Sequence, residues 1–524
     1  MVLLQCVRLG KSCRYIPRDS ASRSGPNSTL QATGDGRLPS PEFTTGTDTV
    51  GQSPNIDESP ASRFPTAFFF DPELLTPLPV DSLSWASLPL ASPCLASLGM
   101  DLTASCHSYV ATTNYWLSIL SPRRLYNEIT QLQPQEPDPS LVLLLSCLRL
   151  VSNVEFSGQC EEYRLAKALS SSAENEGIIS LRLIQSLVML SVYEMGHGIY
   201  PAAYLTVGRA ARLGTLAGLM YHDRQGMSQV FKTADTWTQR EEERRAGWAI
   251  FMLDQFLHVG TDALPLMLPR MSASLALPIN DIGWSKGHLN TAESSIILSS
   301  LTTDVDAVGR FATMCQAVHL FCHTRTHRDA GKHGEPGMEE TVRLDEALQL
   351  HRTLVALDGR LPTQTAGEAN LEAFSLVCGA RFMLYSMYAC REVDIRSDPE
   401  KLNREVEMQR ESVRGVMDMA ANRVPRMAEL IIEMLASTGI SAGMRGRNIS
   451  FTVCHVLYHA ATKCAWFIRE GCGPEMTAGL TLIVSALTQL RESWDVASKS
   501  QSLILNPGNE MCLLTAKQDS TTTC

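Results

Sequence analysis

The sequence predicts an all-α protein whose main part, residues 101–500, is one large domain of stacked helical hairpins. Apolar residues recur at spacings of three and four through most of this range, which is the period of amphipathic helices. Strand-like alternation between hairpin turns is almost absent. With 44% apolar and 19% charged residues among 524, the chain can also bury a sizeable core.

Eleven segments carry this helical period and are the predicted helices. Amphipathic segments of this kind bury their apolar faces against one another, which produces a helical stack. In chain order they are 109–120, 141–155, 178–195, 201–219, 238–259, 304–323, 341–357, 369–391, 403–436, 448–468 and 474–498.

The predicted helix 238–259 contains a carboxylate among apolar residues. Thr238 and Glu241 have the spacing of a capping box, which predicts that the helix begins there. Glu241 and Arg245, four residues apart, form a stabilising pair. Asp254 follows on a wide apolar face, where a lone buried charge is costly unless it is paired or neutralised. We therefore expect Asp254 to bind a cation.

The preceding helix, 201–219, offers candidate cations. Pro201 suits its first turn and Gly218 suits its end. Small residues on one side of this helix permit a close helix neighbour. The prediction is that one of four arginines pairs with Asp254 and fixes the register of the two helices. These are Arg209, Arg212, Arg244 and Arg245.

The ends of the chain differ from this helical body. Residues 18–100 are rich in Ser, Thr, Pro and Gly and have few periodic apolar positions, which predicts a mostly disordered linker. Within it, residues 66–85 mix aromatic residues and leucines with three acids. Such a segment either serves as an activation-type contact or docks back onto the protein's own body. Residues 501–524 are predicted to be a polar tail.

Charge and cysteine content limit the function classes. The net charge is −10, so the body of the protein is no general polyanion binder. Basic residues are concentrated in the first two dozen positions, where any nucleic-acid contact is expected. The 15 thinly spread cysteines fit buried, reduced thiols better than a disulfide framework. The apolar runs are too short or too interrupted to indicate a membrane span or a signal peptide.

Two cysteines near the first residue, Cys6 and Cys13, are separated by basic residues. Thiolates are favoured zinc ligands, and a structural zinc site needs four ligands, so this pair is an incomplete set. Arg8, Lys11 and Arg14 favour thiolates and attract phosphate, which predicts weak contact with DNA. The alternative is a chance cluster in a flexible terminus.

Histidine-rich helices offer a weaker metal candidate. His319, His323 and His327 lie four residues apart, with Cys315 and Cys322 nearby. Histidines at this spacing can bind a metal on one helix face. The favoured interpretation is a polar helix face near a loop that happens to be rich in histidine.

A second pair, His455 and His459, has the spacing of a metalloprotease helix. Val456 stands where that helix needs its glutamate, so no general base is present. Cys454, His459 and Cys464 are therefore predicted to be core or near-core residues. No nucleotide-binding or nucleophile motif occurs in a strand–turn–helix context, and catalysis has no candidate.

The two central helices resemble the fungal-specific transcription factor domain, also called the middle homology region. The resemblance covers roughly residues 105–500, in the family's order. The following loop is similar to the family's proline-containing segment through Leu277, Pro278, Asp281 and Trp284, and "LTQLRESWDVA" resembles its last helices. The matching residues of the two helices are Gly198, Ala202, Gly208, Ala210, Arg212, Gly218, Leu219, Glu241 or Glu242, Arg244, Arg245, Trp248, Leu253 and Asp254.

This resemblance implies a nuclear transcription regulator in which residues 1–17 are the remnant of a binuclear zinc cluster. Cys6 and Cys13 match the last two of the family's six cysteines, and Leu3 stands where the fourth is expected. The base-reading half is missing, and a true start upstream of Met1 is the favoured explanation. The intact module implies zinc and promoter DNA. For the helical domain, the resemblance implies binding of coregulators or of a small-molecule effector. It also implies control of a metabolic or secondary-metabolite pathway.

Two alternatives stay open at the level of sequence. One is a helical ligand-binding or protein-interaction module with no DNA binding of its own. The other is an all-α enzyme, which would require a pocket with convergent titratable groups. Dimerisation has no support, because no heptad repeat follows Cys13.

Overall fold

The computed structural model describes most of the predicted helical domain. The zinc-cluster remnant 1–17 and the acidic, aromatic segment 66–85 lie outside the described residues, so the predictions for them are not tested by it. The described ranges are 91–98, 102–131, 138–219, 234–259, 264–272, 275–286, 308–333, 340–361, 365–367, 369–391, 398–436 and 444–505.

Within these ranges the chain forms 17 α-helices, which we label in chain order. A short 3-10 helix, Thr113–Tyr115, follows α2, and a π-helical turn, Met419–Arg423, follows α13. The α-helices are α1 Ala91–Leu98, α2 Leu102–Ala111, α3 Pro122–Gln131, α4 Pro139–Ser152, α5 Glu161–Asn175, α6 Leu181–Gly196, α7 Ala202–Leu216, α8 Trp237–Leu257, α9 Asp281–Lys286, α10 Arg310–His333, α11 Glu340–Asp358, α12 Leu371–Tyr388, α13 Pro399–Asp418, α14 Val424–Ala436, α15 Thr452–Arg469, α16 Pro474–Leu490 and α17 Asp495–Leu505.

The all-α prediction is confirmed, because the described part of the chain contains no β-strand. Consecutive helices pair as hairpins in α6–α7 and α15–α16. Other helices pack on the next helix but one: α4 packs between α2 and α6, and α10 packs chiefly on α12. Hairpin stacking is therefore only part of the architecture. In these ranges no helix is both long and apolar enough to cross a bilayer.

Helix boundaries follow local capping chemistry. The side chain of Thr236 accepts a hydrogen bond from the backbone N–H of Gln239 at 3.2 Å, so α8 begins at Trp237. The predicted capping box at Thr238 is wrong by two residues. Gly218 ends α7 as predicted, with a φ of 69° that glycine adopts without strain.

The domain extends beyond both predicted boundaries. Helix α1 lies inside the predicted linker 18–100, and its Cys94 and Leu98, four residues apart, are buried. Helix α17 runs past residue 500 and buries Ile504. Leu95 of α1 also packs against the core. The serine- and proline-rich composition of the surrounding sequence hid this helix.

The apolar period also misled in one segment and missed three helices besides α1. In 109–120 only the first residues are helical, and the rest is a 3-10 helix and an extended connection with buried side chains on both sides. A segment that is packed on both sides carries apolar residues at most positions even though it is not helical, and this led to the wrong prediction. Helices α3, α5 and α9 fell outside the predicted segments.

Gly247 marks the closest approach of α8 to the end of α7. A Cβ atom at this position would lie 2.8 Å from the carbonyl oxygen of Leu219, which is backbone and cannot rotate away. Glycine inside a helix normally costs stability relative to alanine. Here close packing requires it.

We expect Gly247→Ala to lower the free energy of unfolding by about 1–3 kcal/mol, because the added methyl overpacks the contact. Gly208→Ala on α7 is the matched control, since its Cβ would meet nothing closer than the Met267 methyl at 3.8 Å. That substitution should instead stabilise the protein by roughly 0.5–1 kcal/mol. Urea unfolding measures both, and equal signs for the two changes would contradict the close approach.

Candidate functional site

The guanidinium of Arg245 on α8 is fully buried and has an extensive set of contacts. Its Nε donates to Glu241 Oε1 at 3.0 Å. Its Nη1 donates to the carbonyl oxygen of Ser118 and to Asp281 Oδ1, both at 2.9 Å. Its Nη2 donates to the carbonyl oxygen of Ile279 at 2.7 Å. Every nitrogen of this guanidinium has an acceptor, as burial of a charge requires. We call Arg245 together with Glu241, Ser118, Asp281 and Ile279 the Arg245 centre.

Two aromatic rings lie close to the guanidinium of Arg245. The Cζ atom of Arg245 lies 4.7 Å from the ring centroid of Trp284 and 5.2 Å from that of Phe311. Burial lowers the pKa of Arg245, but Asp281 and Glu241 outweigh burial and the pKa is raised. The guanidinium of Arg245 is therefore positively charged, and two carboxylates and two aromatic rings hold it in place.

The two carboxylates also bind backbone from other segments. Asp281 Oδ2 accepts the N–H of Phe311 at 2.9 Å, in the first turn of α10, where a helix favours negative charge. Glu241 Oε1 accepts the N–H of Ile279 at 2.9 Å. The Arg245 centre thus connects the segment after α2, helix α8, the loop before α9 and the start of α10.

Glu242 makes a second set of contacts beside the centre. Its Oε1 accepts the N–H of Ser121 at 2.8 Å, and its Oε2 accepts Arg124 Nη1 at 2.7 Å. Gln185 on α6 donates to the carbonyl oxygen of Ile119 at 3.3 Å. These contacts attach α3 and α6 to the same region. All these carboxylates are occupied by structural partners, so none is poised to transfer a proton to or from a substrate.

The predicted ion pair of Asp254 is wrong. The side chain is buried as expected, but Oδ1 accepts the N–H of Met267 at 3.2 Å and Oδ2 accepts the N–H of Leu268 at 3.0 Å. His258 Nδ1 lies 3.5 Å from Oδ1. Burial raises the pKa of Asp254, while the two amides and His258 act in the opposite direction. Backbone amides of the loop after α8 take the place of the predicted guanidinium.

The four candidate arginines have other positions. Arg209 Nε binds Glu174 on α5 at 2.7 Å, and Arg244 Nη1 binds Glu241 Oε2 at 2.7 Å. Arg212 is exposed. Arg245 does bind Glu241 at the predicted spacing of four residues. The register of α7 and α8 is therefore not set by a salt bridge to Asp254.

The histidine-rich faces do not assemble a metal site in the described residues, which hold no group of three or more metal-ligating side chains. The rings of His319 and His323 contact each other at a centroid distance of 4.5 Å. His327 lies instead between Glu346 Oε2 and the hydroxyl of Tyr388, each at 2.7 Å. The third histidine thus faces a different neighbour from the first two.

The second histidine pair, His455 and His459, lies beside two buried cysteines on α15. Cys454 and Cys464 are buried, as predicted, and burial raises the pKa of each thiol to about 12. His455 is half-buried, whereas His459 is exposed, so the core prediction is wrong for His459. The other described cysteines are also free thiols.

Two partly buried histidines, His455 and His319, make the stability of the fold depend on pH. Burial lowers the pKa of His455 from 6.5 to about 3 and that of His319 to about 4. The folded state therefore binds fewer protons than the unfolded state below pH 6.5. The resulting stability is fully present above that pH and is lost as the pH falls toward the folded pKa values.

We expect the free energy of unfolding in urea to decrease from about pH 7 to pH 5 through these histidines. The decrease should be smaller in His455→Gln, because one of the contributing groups is removed. A variant with an unchanged pH profile would contradict the role of His455. Comparing profiles rather than absolute stabilities controls for any packing change.

Sequence reasoning missed two buried arginine clusters. Asp358 binds both Arg381 of α12 and Arg423 of the π-helical turn. Arg447 Nη2 donates to the carbonyl oxygen of Phe156 at 3.1 Å, and burial lowers the pKa of Arg447 to about 10. These partners lie tens to hundreds of residues apart, so no local spacing could have indicated them.

The chain is similar to known proteins in the region that contains this site. The family described as the fungal specific transcription factor domain matches residues 108–329, a range that contains the whole Arg245 centre. Transcription factor BOA15 of Botryotinia fuckeliana (strain B05.10) is 33% identical over 163 residues, which are 30% of this chain and 88% of that protein. No solved structure matches the chain.

Two further relatives match a shorter share of their own length. The ascochitine biosynthesis cluster transcriptional regulator of Didymella fabae is 27% identical over 161 residues, and this chain covers 27% of it. The pigment biosynthesis transcriptional activator pigB of Monascus ruber is 26% identical over 146 residues, and the chain covers 26% of it.

A helical domain with this family match is that of a transcription factor. The chain belongs to the family of fungal transcription factors that carry the fungal-specific transcription factor domain. The family and its relatives are transcription factors and not enzymes.

Proposed function

We propose that this protein acts in the nucleus and regulates transcription of a gene cluster for a secondary metabolite. Family membership supports a regulator of transcription. The names of two relatives, a regulator of an ascochitine biosynthesis cluster and an activator of pigment biosynthesis, support the class of target. Because the chain covers about a quarter of each of these two proteins, neither pathway is assigned to it.

Promoter DNA is bound, in this proposal, through a binuclear zinc cluster that includes Cys6 and Cys13. The two cysteines supply two of the six thiolates that such a cluster uses, so they do not hold zinc without further ligands. Arg8, Lys11 and Arg14 would add contacts to phosphate, which strengthen binding without reading sequence. Specific reading of bases then depends on residues outside this set.

In this proposal, the zinc cluster binds DNA and the helical domain has the regulatory role. Its contacts join segments that are distant in the chain, from Ser118 to the start of α10. We infer that these segments respond as one cooperative unit. Such a unit transmits the binding of a coregulator or effector as a change in its own stability or packing. Its buried charges are structural, which is the single observation that most favours regulation over catalysis.

Complementation of a deletion strain tests the proposal. We expect deletion of the gene to lower the transcripts of one biosynthetic cluster together, and the full-length gene to restore them. A gene with Cys6→Ser and Cys13→Ser should not restore them, whereas Cys472→Ser, at a partly exposed thiol elsewhere, should. Restoration by the double variant would favour the alternative, a helical module without DNA binding of its own. Unchanged transcripts on deletion would remove the regulator proposal.

A further inference from the structure

The imidazole of His197 joins three parts of the domain that are far apart in the chain. His197 directly follows α6 and is 4% exposed. Its Nδ1 lies 2.9 Å from Oδ2 of Asp495, in the first turn of α17. Its Nε2 lies 3.2 Å from Nη2 of Arg447, in the segment 444–451 that precedes α15. We call these three residues the His197 contact.

The neighbours of His197 determine the protonation state of its ring. A guanidinium has donors and no acceptor, so Nη2 of Arg447 donates to Nε2 of His197. Nε2 therefore carries no proton, and Nδ1 carries the single proton of a neutral imidazole, which it donates to Asp495. A second proton, on Nε2, would point at Nη2 of Arg447. The hydrogen bond between the two residues could not form in that state.

The guanidinium of Arg447 makes a second proton on His197 unfavourable. Arg447 is fully buried, and its Nη2 also donates to the carbonyl oxygens of Asn153 at 3.2 Å and Phe156 at 3.1 Å. These two acceptors are neutral. The side chain of Asp495, on the other side of the imidazole, is 41% exposed. Protonation of His197 would therefore place two buried cations side by side, where repulsion is strong because water is excluded.

Other titratable groups near the ring do not offset this repulsion. Lys499 of α17 has its Nζ 3.5 Å from the carbonyl oxygen of His197 and adds a further positive charge. The ring centroid of Tyr193 lies 4.4 Å from that of His197, and burial raises the pKa of this phenol, which stays neutral. Burial lowers the pKa of His197 below 6.5, Arg447 and Lys499 act in the same direction, and Asp495 opposes them.

The segment 444–451 connects the start of the domain with its last helices. The carbonyl oxygen of Arg447 accepts from Trp116 Nε1 at 3.2 Å, and Trp116 belongs to the range that matches the family. The carbonyl oxygen of Ile449 accepts from Trp494 Nε1 at 2.9 Å, directly before α17. The guanidinium of Arg447 also lies over the Trp494 ring. Displacement of Arg447 would therefore loosen both connections.

We propose that the His197 contact is a pH-sensitive connection between the family-matched range 108–329 and the C-terminal helices α15–α17. In neutral solution the ring accepts from Arg447 and the segment 444–451 is held. A proton on Nε2 displaces Arg447 and loosens this segment, while Nδ1 keeps its bond to Asp495. This inference goes beyond the proposed function, and its test requires neither DNA nor zinc.

The direction of the pH effect follows from linkage between proton binding and opening. The ring binds a proton more weakly in the closed contact than in the opened segment, because the pKa of His197 is lowered from 6.5 in the fold. The contribution of the contact to stability is therefore fully present above pH 6.5. It is lost as the pH falls toward the lower pKa of the closed contact.

Hydrogen exchange of the full chain, followed by mass spectrometry of its peptides, tests the proposal. Protection factors are compared, because they correct for the pH dependence of the intrinsic exchange rate. From about pH 7.5 to about pH 5.5 we expect the protection of segment 444–451 to fall by up to about tenfold, since the opened segment binds one more proton. Helix α12 should stay more strongly protected at both pH values. Protection of 444–451 that is independent of pH, or equal to that of α12, would overturn the proposal.

Three single substitutions identify the group that titrates. His197→Gln has an amide that both donates and accepts, so protection of segment 444–451 should no longer depend on pH. Asp495→Asn removes the carboxylate that favours the second proton, so the loss of protection should shift to lower pH. His107→Gln, at an exposed histidine that bonds to Tyr126, is the matched control and should behave like the wild type. Unchanged pH dependence in His197→Gln, or no shift to lower pH in Asp495→Asn, would refute the proposed role of His197.

Discussion

Replacing Arg245 with leucine is expected to lower the free energy of unfolding by about 3–5 kcal/mol, because it removes the buried cation that joins the buried Glu241 to Asp281. Glu241 and Asp281 would keep their backbone partners but lose the guanidinium between them. The loop before α9 and the start of α10 would then be attached by fewer contacts. Urea unfolding followed by circular dichroism measures the change.

The adjacent arginine is the matched control. Arg244 also binds Glu241, at 2.7 Å, but its side chain is 29% exposed, whereas that of Arg245 is 0% exposed. Arg244→Leu should therefore cost less than about 1 kcal/mol, as is usual for exposed pairs. Arg245→Lys should behave like the leucine variant, because the single ammonium group of lysine cannot reach all the acceptors that the planar guanidinium contacts on its several sides. A loss as large for Arg244 as for Arg245 would show that burial of the centre is not what matters.

Trp494→Ala is expected to have a comparable effect, with a loss of about 3–5 kcal/mol from the cavity that it creates. Trp494 is fully buried, and its Nε1 donates to the carbonyl oxygen of Ile449 at 2.9 Å. The guanidinium of Arg447 lies 4.2 Å from the ring centroid. The edge of the ring fills the space beside Gly196, where a Cβ would come within 2.2 Å. Removing the ring would loosen α6, α15 and α17 together.

Trp466→Ala is the control for loss of the same side chain. Trp466 is only partly buried on α15, and its ring contacts that of Phe467 at 4.9 Å. A clearly smaller loss is expected, because solvent already reaches part of the ring and little cavity forms. Thermal unfolding measures the loss of stability in both variants. Similar losses would mean that Trp494 does not anchor the end of the domain.

Local patterns in the sequence found the parts of the site that are close in the chain. The spacing of Glu241 and Arg245 predicted one ion pair, and the structure shows it at 3.0 Å. The resemblance to the family singled out Asp281 and Trp284, which complete the Arg245 centre. It did not indicate what these residues contact. Ser118, whose carbonyl oxygen also binds Arg245, carried no signal at all, because a backbone acceptor places no constraint on side-chain identity.

The prediction for Asp254 shows why chemistry without geometry can choose the wrong partner. Burial and the need for a positive partner were both inferred correctly. The partner is a pair of backbone amides, 13 and 14 residues further along the chain. Amides are present at nearly every position, so sequence offers no means of distinguishing those that turn toward a carboxylate. An arginine is conspicuous in a sequence, and a favourably oriented peptide group is not.

The sequence alone determined that this chain is helical, where most of its helices run and to which family it belongs. These properties depend on the periodic spacing of apolar residues and on short motifs, which act over one or two helical turns. The tertiary structure decided which charges meet, which glycine must stay a glycine and which nitrogen of the buried His197 carries its proton. Contacts such as that between Trp116 Nε1 and the carbonyl oxygen of Arg447 join residues 331 positions apart, and only the packed helices set such distances.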